Sequence, residues 1–247
     1  MRRELASYFA TPLAYVFILI FLVLANLLTF FLGGFFERGQ ADLAPFFGYH
    51  PWLYLFLIPA VSMGLWAEER KSGSIELLMT QPVTLWDAVL GKFFAAWLFT
   101  ALALALTFPL WITVNWLGSP DNGVILASYL GSLLMAGAYL GSLLLAGGYL
   151  AIGSCMSALT RSQVVAFILG FIACCAFLLI GFIPSLATDL PSWAQTVVQA
   201  IASLSFLTHF DSIAKGVIDV RDLLYFAMLI GFFLLATSIA LDVRKAD

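Results

Sequence analysis

Charge is what this chain has least of. Of its 247 residues, 11 are Lys or Arg and 14 are Asp or Glu, together 10%, while hydrophobic types make up 63%. Ordinary soluble domains carry about 25% charged residues. A chain this long cannot hide so much apolar surface from water, because surface-to-volume scaling leaves too much of it outside. Its mean hydropathy of +1.03 requires lipid as the solvent, and the length suits one membrane domain (1–247) with no large soluble one. Histidine is also scarce: the two present, His50 and His209, are expected outside the membrane spans, on the acidic side. There is no H-E-x-x-H, no G-x-S-x-G and no nucleotide-binding G-x-x-x-x-G-K-[ST], since Gly91-Lys92 lacks the upstream glycine. Three cysteines, Cys155, Cys174 and Cys175, lie inside apolar runs and read as small packing residues, not as metal ligands or a disulfide. Ionisable residues are almost absent from the apolar runs, which argues against a proton- or ion-coupled carrier. No catalytic residue, metal site or directly bound cofactor is expected, and no basic cluster invites a nucleic acid.

What is present is length without charge. The uncharged runs are 5–36, 43–67, 93–120, 122–160, 162–188, 190–210 and 223–241. A crossing helix needs about 20 apolar residues, and six runs qualify. The run 190–210 is interrupted by Gln195, Gln199, Ser203, Ser205, Thr208 and His209. Its apolar residues Trp193, Val197, Ile201 and Leu204 recur at helical spacing, which predicts an amphipathic helix at the interface or dipping part-way in. Six spans put Arg2, Arg3, Arg70, Lys71, Lys92, Arg161, Arg244 and Lys245 on one side and Arg38, Lys215 and Arg221 on the other. The positive-inside rule makes the first side cytoplasmic. The expected fold is therefore an all-α membrane protein. It has six transmembrane helices, cytoplasmic N and C termini, an amphipathic interfacial helix at 1–12 and short outer cap or re-entrant helices at 183–222. The apolar run after the basic start is too long for a cleaved leader, so it reads as a first span. Leu5, Tyr8 and Phe9 of the entry helix are expected on lipid.

One stretch breaks the pattern. EERKSGSIELLMTQPVT, 68–84, holds Glu68, Glu69, Arg70, Lys71 and Glu76 between two uncharged runs. Gly73 and Pro82 would bound a short helix with an Ile75, Leu78, Met79 stripe, inside a loop region 68–90. Thr84-Leu-Trp-Asp87 predicts a capping box opening the next helix. Span four is rich in small residues, with a G-x-x-x-G at Gly137 and Gly141 that serves close helix packing within the subunit or a subunit interface. This run exceeds one bilayer crossing, so it tilts, extends into the cytoplasm or breaks at Gly147-Gly148. The second cytoplasmic turn, 157–167, carries a single charge, Arg161.

The patch followed by G-K-F resembles the cytoplasmic loop after the second span of ABC-2 type permeases. The start RRELASYFATPLAYV and the stretch LSFLTHFDSIAKGVIDVRDLLYF, 204–226, look like the gliding-motility-associated branch of that family. The resemblance implies a bacterial inner-membrane permease subunit that pairs with a second permease. That partner would be an identical or different copy, the latter able to carry a large periplasmic domain. It implies a separate ABC ATPase subunit that holds ATP and Mg. Carried onto this chain, the coupling helix that meets the ATPase is 73–80, with Glu68, Glu69, Arg70, Lys71, Gly73, Ser74, Ile75, Glu76, Leu77 and Thr80 at the contact. Thr160, Arg161 and Gln163 form a second contact. The residues alone also allow an ordinary interfacial loop. ATP-coupled export or mechanical work on extracytoplasmic partners is one expected function. A membrane anchor for a multiprotein complex, with no substrate of its own, is the other. The Leu-, Phe-, Ala- and Gly-rich spans are compatible with a lipid-like cargo or with none.

Overall fold

In the computed structural model the described residues are 2–10, 12–33, 44–75, 84–117, 125–186, 192–214 and 219–243. They form helices and turns, with no strand among them. Helix α1 (Arg2–Ala10) leads into α2 (Pro12–Leu27), which continues through a π-helical turn at Leu28–Leu32. A short α3 (Ala44–Gly48) precedes α4 (His50–Ser62) and α5 (Gly64–Ser72). Next come α6 (Leu85–Ala105), α7 (Phe108–Leu117), α8 (Ile125–Leu159) and α9 (Gln163–Leu179). A 3-10 turn at Ile180–Phe182 and α10 (Ile183–Leu186) follow, then α11 (Ser192–Ala202), α12 (Phe206–Ala214) and α13 (Val220–Val243).

The axis of the bundle is α8. Its segment 137–159 is 78% buried, against 22% for the membrane-length segments of α2, α9 and α13. In lipid, apolar surface alone gives helices little reason to associate, so small residues that permit close approach and interhelical hydrogen bonds take over. A Cβ built on Gly153 would lie 1.9 Å from Ser62 Oγ of α4, and one on Gly141 would lie 2.7 Å from Ile213 of α12. Gly141 of the G-x-x-x-G therefore serves packing within the subunit, and Gly147-Gly148 does not break the helix. At 35 residues α8 is about 50 Å long, well beyond the roughly 30 Å hydrocarbon core, so it projects past the bilayer. Between α8 and its neighbours run polar links in the interior: Tyr54 with Ser142 at 2.7 Å, the Tyr149 hydroxyl to the Pro51 carbonyl at 3.1 Å, and the Trp97 indole to the Leu143 carbonyl at 2.8 Å. His50 closes the far end of α4, 1% exposed within a box of Phe21, Phe46, Phe47 and Tyr54.

Five helical segments are long and apolar enough to cross a membrane, or six if a pair bent by 66° (α11 and α12) is one span. The pattern of contacts assigns the crossings differently. The second expected span is α4 plus α5, which run parallel to α8 from Tyr54 opposite Ser142 to Trp66 opposite Ser154. The helix is interrupted at Met63, one turn past Pro59 inside α4. Likewise the third expected span breaks between α6 and α7 at Leu106–Thr107, just before Pro109. Because α9 ends where α13 begins, the bent pair enters and leaves at the same end of the bundle. Its stripe residues Val197, Ile201 and Leu204 stay exposed, as an interfacial or part-way helix requires, while Phe206 at the corner is buried against Tyr149 and Phe177.

Two expectations change. The apolar face of α1 packs on the protein: Tyr8 stacks on Phe99 at 5.2 Å and Phe9 meets the same ring edge-on at 5.8 Å. Leu5 also lies against the core. The start of the charged patch is the last two turns of α5, not a loop. Gly73 adopts φ 72 and caps that helix, a left-handed conformation suited to glycine. The capping box at Thr84 is as expected: its Oγ1 accepts from Asp87 N at 3.2 Å and donates to Asp87 Oδ2 at 2.5 Å. Glu76, Leu77 and Thr80, with the rest of the expected coupling helix beyond Ile75, lie outside the described residues.

Candidate functional site

At the end of the bundle that holds α1, α5, the start of α6 and the short turn between α8 and α9, four elements meet through polar groups. The break at Met63 creates a new helix start, and the first N–H groups of a helix have no carbonyl behind them. Ser157, fully buried on α8, fills the gap from a different helix. Its Oγ accepts from Trp66 N at 3.0 Å and Ala67 N at 3.1 Å, and donates to the Met63 carbonyl at 2.8 Å. It thus does for α5 what an N-cap serine does for its own helix. One turn earlier Ser154 Oγ accepts from the Trp66 indole at 3.1 Å.

The charges of α5 then spread outward to three neighbours. Arg70 donates to the Ala158 carbonyl at 2.7 Å, meeting the negative end of α8. Glu68 accepts from Gln163 Nε2 at 3.1 Å, at the first residue of α9. Glu69 pairs with Lys92 of α6 at 2.7 Å, and the same ammonium reaches Glu4 of α1 at 3.3 Å. Lys92 is 7% exposed and sits 5.4 Å from the centre of the Trp66 ring, a cation–π distance. Burial, with Glu4 nearby, pushes the Tyr8 phenol well above its ordinary range. A charge taken this far out of water persists only when paired and hydrogen-bonded. The node thus ties α1, α5, α6, α8 and α9 into one piece.

The expected contact residues therefore divide. Glu68, Glu69 and Arg70 are engaged inside the chain. Lys71 and Gly73 are exposed, and Ser74 is half-buried with its hydroxyl 2.9 Å from that of Ser72. Ile75 is half-buried against the core. Arg161 is exposed, and the Thr160 hydroxyl accepts from Ser162 N at 3.1 Å. Through Glu68 and Gln163 the two expected contacts become neighbours on one surface. Sequence reasoning missed Ser154, Ser157, Lys92, Glu4 and Trp66. The signals were faint: two serines three residues apart in a small-residue helix, and one lysine at the mouth of an apolar run. Among the described residues no group of three His, Cys, Asp or Glu side chains could hold a metal ion.

A bundle of apolar crossing helices around a small-residue axis, with its charges gathered at the helix ends, defines a multi-pass membrane protein. Its particular kind follows from comparison: the family model described as ABC-2 family transporter protein matches residues 42–241. The chain belongs to the ABC-2 transporter family, as a membrane subunit that is not itself catalytic. Among curated proteins none matches it.

Proposed function

We propose that this chain is the permease subunit of an ABC transporter, driven by a separate ATPase subunit that docks on the end built by α5 and the α8–α9 turn. The observation that carries this reading is the Ser157–Trp66–Lys92 node. A docking surface can move helices only if it is rigidly joined to them, and here α5 is joined to three other helices by hydrogen bonds and an ion pair. Family membership supports it, since ABC-2 permeases work with an ABC ATPase and often as dimers. On this reading Lys71, Gly73, Ser74 and Arg161 face the ATPase, with Glu76, Leu77 and Thr80 beyond them. Glu68, Glu69, Arg70 and Gln163 pass the motion inward. ATP and Mg belong to the partner. The stretches at 2–16 and 204–226 favour the gliding-motility-associated branch, a bacterial inner membrane, and export or mechanical work on outer partners.

The test is co-purification with the ATPase encoded beside the gene. Wild type should carry the ATPase through gentle solubilisation, and Lys71→Glu with Arg161→Glu should lose it while the permease elutes as a folded species. A wild-type chain that binds no ATPase, or a double variant that binds as well as wild type, would overturn the docking surface. The anchor function would then take its place.

A further inference from the structure

At the opposite end of the bundle, α11 and α12 meet at a corner formed by Ser203, Leu204 and Ser205. The corner is pinned inward: Ser205, fully buried, caps α12 by accepting from Leu207 N at 3.2 Å. It is pinned to α13 by one imidazole. His209 Nδ1 lies 2.6 Å from Asp222 Oδ1, and its Nε2 lies 2.8 Å from the Ser203 carbonyl oxygen. A carbonyl cannot donate, and an ionised carboxylate accepts only. Ser212 donates its hydroxyl to the other oxygen of Asp222. A neutral imidazole has one N–H and can satisfy one of these two acceptors; the imidazolium has two and satisfies both. The flat face of the ring stacks on Tyr225 at 4.0 Å, an arrangement that also favours a cation. The Tyr225 hydroxyl in turn donates to the Leu204 carbonyl at 2.5 Å.

We propose that this clasp is a proton-operated latch: protonated His209 holds the α11–α12 corner against α13, and loss of the proton releases one side of it. The titratable groups in contact with the ring are Asp222 and Tyr225, both from α13. Of the neighbouring charges, Asp211 on α12 and Asp219 and Arg221 at the start of α13 are exposed to solvent, where screening weakens their reach. Histidine is the side chain suited to a proton switch near neutral pH. The sign is fixed by the acceptors. Low pH closes the clasp; rising pH removes one N–H and frees either the corner or α13. The inference stands on the clasp alone and does not depend on docking of an ATPase.

The full chain in detergent or nanodiscs carries the test. With two histidines in the sequence, ring nitrogen-15 spectra contain two sets of signals, and His50→Phe assigns them. At pH 5.5 both ring nitrogens of His209 should read as protonated. Amide exchange over 203–209, corrected for its intrinsic pH dependence, should rise about tenfold by pH 8.5, the effect of losing one charge-assisted hydrogen bond. His209→Gln should exchange at the faster level at both pH values. A neutral His209 at pH 5.5, corrected exchange that ignores pH, or a His209→Gln chain that keeps the wild-type pH response would each overturn the latch. The wild-type measurements decide even where the variant fails to fold.

Discussion

At the scale of the residue, Ser157 does more than its size suggests. One hydroxyl accepts from two backbone N–H groups and donates to a carbonyl, all on a neighbouring helix. Removing it strands the Trp66 N–H inside the protein, and an unpaired buried donor costs about 1–3 kcal/mol. Ser157→Ala should therefore lower the unfolding midpoint in detergent. Ser154→Ala, which loses a single bond to an indole, should lower it less. Equal midpoints, or the reverse order, would mean that Ser157 is not the cap of α5. Nothing in the sequence marks Ser157 for this role. A serine in a helix normally bonds within its own turn, and the N–H groups that need this one exist only because α5 restarts at Met63. The charged patch was legible as a break in the apolar pattern, but not which of its charges bond within the chain. That Glu68, Glu69 and Arg70 bond to other helices of the chain while Lys71 faces out depends on which helices stand beside α5, and no local pattern records the neighbours.

At the scale of the element, hydropathy displayed the crossings well, because apolar length is the one property a bilayer demands. The interruptions were harder to read. Pro59 and Pro109 announce missing N–H groups, yet whether a helix bends, breaks or absorbs the loss depends on its neighbours; where α5 restarts, Ser157 of α8 supplies the cap. Glycine was legible as a packing signal without revealing its partners. The tightest crossing is Gly153 against Ser62. An added methyl would sit 1.9 Å from the serine oxygen and 2.7 Å from its Cβ, and the latter cannot rotate away. Gly153→Ala should force α4 from α8 and cost about 1–3 kcal/mol, as overpacking does. Gly170→Ala should be nearly neutral, since its methyl would find Pro59 at 3.6 Å and the Gly153 backbone at 3.7 Å, ordinary contact distances. Adding Ser62→Gly to Gly153→Ala should recover most of the loss in a thermal melt. If Gly170→Ala proves the more harmful, or Ser62→Gly recovers nothing, α4 and α8 are not held at this crossing.

At the scale of the whole molecule, the fold has two polar ends. One gathers α1, α5 and the α8–α9 turn around Lys92; the other gathers the bent pair and the start of α13 around Asp222. Which end faces the cytoplasm is a question about charge outside the bilayer, and the positive-inside rule predicts the end at α5, with eight basic residues against three. The answer also depends on whether the bent pair crosses. If α11 and α12 formed a full span, α13 would run the other way and carry Arg244 and Lys245 outward. The structure argues against this: Asp222, at the start of α13, lies beside His209 of α12, and Gly181, at the end of α9, lies against Ser205. Both helix ends are thus on one side. Single cysteines at Lys71, Asp211 and Val243 provide the test, because the native thiols at Cys155 and Cys174 are buried and Cys175 is partly so. A membrane-impermeant maleimide applied from outside should label Asp211→Cys alone. From the cytoplasmic face it should label Lys71→Cys and Val243→Cys. Labelling of Lys71→Cys and Val243→Cys from opposite faces would make the bent pair a true span. Labelling of both from outside would invert the molecule and remove the docking end from the compartment where ATP is found.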